Sequence, residues 1–97
     1  MIKGFTRLKV LRKEHVEDDG TVYRYGLKVR RCFPKAKRMP LYFFSVEMIL
    51  SDGNTTYAEA RENFIDVSTA LSLFDKLLRN LTTPIDLPYV LEDELER

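Results

Sequence analysis

The chain has 97 residues, a formal net charge of +1, 44% hydrophobic residues and one cysteine. That length fits a single domain, residues 1–97, which buries roughly two-thirds of its unfolded surface and so builds a core without metal or disulfide help. The longest apolar run, residues 41–44, falls far short of the ~18 residues a membrane span needs, so no membrane insertion is expected. Cys32 has no second cysteine to pair with, and Lys3 and Arg7 interrupt any leader-like apolar run, which together point to the cytoplasm.

The near-neutral total conceals a division of charge. Residues 1–40 hold twelve Lys or Arg against four acids, a balance of +8, whereas residues 41–97 hold four bases against eleven acids, a balance of −7. Such a division favours a partner surface without naming the partner.

Between Phe5 and Leu11 the residues half-alternate, which predicts a strand with Leu8 and Val10 toward the core and Arg7 and Lys9 in water. Asp19-Gly20 then supplies the left-handed backbone of a tight hairpin, and alternation resumes. On the second strand Tyr23, Tyr25, Leu27 and Val29 share one face, and Arg24, Lys28 and Arg30 the other. Residues 33–40, "FPKAKRMP", are bracketed by prolines and read as a basic loop or arm carrying Lys35, Lys37 and Arg38.

Tyr42, Phe44, Val46, Met48 and Leu50 repeat with period two, while Phe43 and Ile49 make the opposite face partly apolar too. This predicts a central strand whose Phe43 and Ile49 need cover, from a dimer partner or an overlying loop. Residues 51–54, "SDGN", form a turn by composition. Residues 55–64 then return as a fourth strand, although their Ala and Glu content also suits a helix.

From 67 to 81, Ala70, Leu71, Phe74, Leu77, Leu78 and Leu81 fall on one helical face. Asp66 or Ser68 is placed to cap its first turn, and Pro84 predicts its end by about Thr82. Pro88 suits the first turn of a further short helix, with Tyr89, Val90, Leu91 and Leu95 seated on one side and Glu92, Asp93, Glu94 and Glu96 wet. The stretch "NLTTPIDLPYVLED", residues 80–93, therefore reads as a helix stop, a corner and a helix start. The predicted fold class is α+β: a three- to four-stranded antiparallel sheet packed on one C-terminal helix, plus a short terminal helix.

Residues 64–93, "FIDVSTALSLFDKLLRNLTTPIDLPYVLED", resemble the C-terminal half of a family of short uncharacterised bacterial proteins, a domain of unknown function. Its members share a leucine-rich helix, a Thr/Ser-Pro-Ile-x-Leu corner and an acidic tail, and many carry His where this chain has Asp86. The resemblance implies a bacterial cytoplasmic protein and a shared fold, and it implies no activity.

No catalytic constellation is legible. His15 is the only histidine and has no identifiable nucleophile or acid partner, so it reads as an exposed strand residue. Cys32 lies near Arg30, Arg31 and Lys35, which would favour a thiolate, yet a small half-buried thiol is the simpler reading. Zinc spacing and phosphate-cradling glycine loops are absent from the sequence. The terminal acids lie outside any rigid calcium-type loop, so no metal or cofactor is expected.

The basic residues are the candidate binding surface: Arg7, Lys9, Arg24, Lys28 and Arg30 on an outer sheet face, with Lys35, Lys37 and Arg38 nearby. Two uses are expected of it. The first is a non-enzymatic interaction or regulatory role, with a protein partner or a second copy, through the exposed sheet face or an edge. The second is weak nucleic-acid binding through the same cations, recognisable by its salt dependence. Tyr23 and Tyr25, assigned to the core side, offer no stacking surface to the second.

Overall fold

The computed structural model describes residues 6–32, 40–63 and 65–95, with the side chains of Thr6, Arg7, Arg31 and Cys32 outside that description. Strands β1 (Thr6–Asp18), β2 (Thr21–Cys32), β3 (Leu41–Ile49) and β4 (Thr55–Glu62) form one antiparallel sheet in chain order. Helices α1 (Val67–Arg79) and α2 (Leu87–Glu94) follow. The fold is α+β, and residues 55–62 are strand. Period two decides that segment: Tyr57, Glu59 and Arg61 are exposed while Ala58 and Ala60 pack on the core.

Both helices lie on the same side of the sheet, α1 over β2 and α2 over β4. Leu27, Val29, Phe44 and Val46 from the central strands meet Phe74 and Leu77 of α1, all of them at 0% exposure. At roughly 1.5–3 kcal/mol per fully buried side chain, this layer is what holds the sheet and helices together. The molecule is only 17 Å deep along its shortest axis, room for a sheet and one helix layer.

Local signals set the turns. Asp19 and Gly20 have φ of 53° and 84°, the positive pair that a two-residue hairpin turn between Asp18 and Thr21 requires. Of the two possible caps for α1, Asp66 is the one used. Its carboxylate accepts a hydrogen bond from the Thr69 N–H at 2.9 Å, and hydrogen bonding from Thr69, its side chain first and its backbone second, holds the pKa below the ordinary carboxylate value.

The first helix ends at Arg79, three residues before Thr82, the latest point that Pro84 suggested. Leu81 adopts a left-handed φ of 48°, so that the Thr82 and Leu81 N–H groups donate to the carbonyls of Leu77 and Leu78. That bonding pattern closes a helix, usually around glycine, and here it turns the chain downward. The Tyr25 hydroxyl then donates to the Thr82 carbonyl at 2.9 Å in a buried contact, fastening the corner to β2. The Thr83 carbonyl accepts from the N–H groups of Asp86 and Leu87, and Pro88 sits in the first turn of α2. Leu87 and Leu91 are buried beneath it, whereas Tyr89, expected on the seated side, is 66% exposed.

Candidate binding surface on the uncovered sheet face

β1 carries the main departure from the expected layout. The pairs Leu8↔Arg30, Lys9↔Val29 and Val10↔Lys28 give way to Arg12↔Leu27, with Leu11 as the extra residue of a bulge. Paired residues share a face, so Leu8 and Val10 lie on the side away from the helices, each 52% exposed. Lys9, opposite the core residue Val29, belongs to the helix-bearing side. The expected grouping of Lys9 with Arg24, Lys28 and Arg30 is therefore broken. Because side chains alternate with period two, one inserted residue reverses the phase of everything before it. Arg7 pairs with Arg31 along the backbone, and its side chain is outside the described set, as are residues 35, 37 and 38.

The same bulge brings Arg12 to the helix side. Its guanidinium lies 5.0 Å from the centre of the Phe74 ring and 3.4 Å from the Asp75 carboxylate, a tie between the basic N-terminal half and α1. Lys13, one residue on, pairs with Gly26 on the uncovered face.

Arg24, Lys28 and Arg30 do share that face, as expected. Around them the register sets Lys13 on β1, Ser45 and Glu47 on β3, and Tyr57 on β4. These groups border a shallow cleft of about 400 Å³ that crosses all four strands. Gly26 forms its floor. A Cβ built there would come within 2.8 Å of Ser45 Oγ, so the absence of a side chain is what leaves both the depression and the hydroxyl open. Val10 and Tyr57 border it as exposed apolar residues. Acids stand among the cations: Glu47, engaged by Arg24 at 3.5 Å, and exposed Glu59, opposite Ser45.

Phe43, expected to need a dimer partner or loop, is covered from within the face. The guanidinium carbons of Arg30 and Arg61 stand 5.1 and 5.8 Å from its ring centre, and only 8% of the residue is exposed. Ile49 is half-buried.

Other sequence candidates fall elsewhere. His15 is exposed and pairs with Arg24. Glu92, Asp93 and Glu94 stay wet on α2, with Glu94 paired to Lys76 at 3.2 Å. A larger hollow of about 680 Å³ runs between α1 and the end of α2, but the Lys76–Glu94 pair spans it and its charges compensate one another. Among the described residues no three His, Cys, Asp or Glu side chains gather as metal ligands, and no helix is long and apolar enough to cross a membrane.

Lys13, Gly26, Ser45 and Tyr57 were not singled out from sequence. Gly26 carried a usable signal, since a glycine inside the run "YRYGLKVR" marks a place where something approaches the backbone closely. Compared with known proteins, the chain matches no family model, no curated protein and no solved structure.

Proposed function

We propose that this is a non-enzymatic cytoplasmic interaction protein whose binding surface is the uncovered face of the sheet, and that its partner carries negative charge. The observation that carries the reading is the cleft at Gly26, where Lys13, Arg24 and Lys28 converge beside exposed Val10 and Tyr57. Cations beside exposed apolar groups steer an anionic partner and help to exclude water once it docks. The sheet edges serve less well. β1 is blunted by its bulge and by Lys13, Glu14 and Glu17, and β4 is short and charged.

The non-enzymatic part rests on His15, which stands beside Lys13, Glu14 and Arg24, with no nucleophile for it to activate among the described residues around it. The cytoplasmic part rests on the lone cysteine. The test is amide chemical-shift mapping of the labelled protein with two polyanions, an oligouridylate and a polyglutamate peptide. Shifts clustered on Lys13, Gly26, Lys28 and Ser45 with either polyanion support the reading. Shifts confined to the helix side, or none with either at low salt, contradict it.

A further inference from the structure

Resting on that reading, we infer that the cleft takes single-stranded nucleic acid, with backbone phosphates on Lys13, Arg24 and Lys28 and a base against Tyr57. Charge alone fits an acidic peptide equally well. The flat groups beside the charges decide between them.

Tyr57 presents a 59% exposed ring at the β4 end of the cleft. Four residues further along β4, roughly 13 Å from Tyr57, the guanidinium groups of Arg30 and Arg61 lie over the Phe43 ring, with Arg30 and Arg61 both exposed. Bases stack on aromatic rings and on guanidinium planes, whereas a carboxylate takes only the guanidinium edge and gains little from an exposed ring. The spacing also suits a polymer. The cleft runs across four strands about 4.8 Å apart, with Lys13 level with Ser45, Lys28 with Phe43 and Tyr57 with Glu47, so both lysines stand roughly 16 Å from the tyrosine, within reach of a strand of a few nucleotides. A duplex is too thick and too stiff to lay its bases on this surface, because they are already stacked within it. Ser45 Oγ, left open by Gly26, adds a hydrogen-bonding group at the centre that can serve a phosphate, a ribose hydroxyl or a base edge. Glu47 opposes a phosphate at its own position. Glu59, opposite Ser45, does the same, while the exposed 3.5 Å contact between Glu47 and Arg24 is weak enough for Arg24 to exchange it for a phosphate.

The residues differ from those expected from sequence. Tyr23 and Tyr25 stack on each other on the helix side, with ring centres 6.2 Å apart, and are unavailable to bases. The stacking residue is Tyr57, on the strand that composition left open to a helical reading.

The experiment is a fluorescence anisotropy titration of the full chain against labelled oligouridylate, oligothymidylate, a duplex of matched length and polyglutamate, across a salt series. Expected is binding to both single strands with a log–log salt slope of about −2, as three phosphate contacts give, and weaker binding to the duplex. Tyr57→Ala is expected to weaken single-strand binding about tenfold with little effect on the salt slope. Lys28→Gln is expected to flatten the slope by about 0.7. Both side chains are on the surface layer, and an unchanged thermal midpoint verifies that each variant is folded. No single-strand binding at low salt, or binding indifferent to both substitutions, overturns the inference. Should polyglutamate bind the cleft while the single strands do not, the inference fails and the proposed interaction surface stands. Should neither bind, both fail.

Discussion

Tyr25 joins the two layers through one atom. Its hydroxyl donates to the Thr82 carbonyl inside a residue that is 2% exposed, so Tyr25→Phe leaves that carbonyl without its partner. The expected loss is about 1–2 kcal/mol, or a fall of about 5 °C or more in the thermal midpoint. Burial first, and the neighbouring Tyr23 second, raise the pKa of the phenol above its ordinary 10.0. In the unfolded chain it ionises near that ordinary value while the folded chain keeps the proton. Stability is therefore fully present below about pH 10 and declines as pH rises beyond it, and Tyr25→Phe should make that alkaline decline shallower in denaturation curves. Arg30 shows a second residue-scale effect. It was expected to be a free surface charge, but it shields Phe43, so Arg30→Ala should lower the midpoint through lost cation–π contact of about 0.5–1 kcal/mol. Lys13→Ala on the same face should leave the midpoint unchanged. Equal effects of the two substitutions would mean that Arg30 covers nothing.

Among the elements, α2 is the one whose docking is most open to direct measurement. Leu91, 1% exposed, faces the core, and Tyr89, two residues earlier, points away. Leu91→Ala should cost about 2–5 kcal/mol and Tyr89→Ala almost nothing, read by chemical denaturation. Comparable losses would mean that the helix is rotated. Ending the chain after Thr83 removes Leu87 and Leu91 together and should take a large share of the ~5–15 kcal/mol that holds such a domain. These elements were legible in the sequence because period, caps and breakers agreed: the Asp19-Gly20 turn, the Asp66 cap, and Pro84 and Pro88 around the corner. The end of α1 was less so, because Leu81 takes a left-handed conformation for which glycine is the usual signal. The candidate site was half legible. Arg24, Lys28 and Arg30 follow from strict alternation along β2, but the bulge at Leu11 depends on how β1 meets its neighbour, and no local pattern announces an inserted residue. Phe43 misled for a related reason: its cover comes from Arg30 on β2 and Arg61 on β4, and only the register brings those three together.

At the scale of the whole molecule, the division of charge along the chain becomes a division across the sheet. The basic strands β1 and β2 lie side by side, and the acidic half of the chain supplies β3, β4 and both helices. Ion pairs of Arg12 with Asp75 and of Arg24 with Glu47 cross the boundary, and Lys13 and Lys28 stand on the uncovered face beside Gly26. The fold thus commits its helices to one side and sets cations beside exposed Leu8, Val10 and Tyr57 on the other, which is the basis for assigning binding to that side. Photo-crosslinking in living cells tests this assignment most directly. A benzophenone amino acid is placed singly at Leu8 and Tyr57 on the uncovered face, and at Ser72 and Glu92 on the helix side, all four being exposed positions. The expected result is discrete adducts from Leu8 and Tyr57, shortened by nuclease treatment, and none from Ser72 or Glu92. Adducts from Ser72 or Glu92 alone would contradict it.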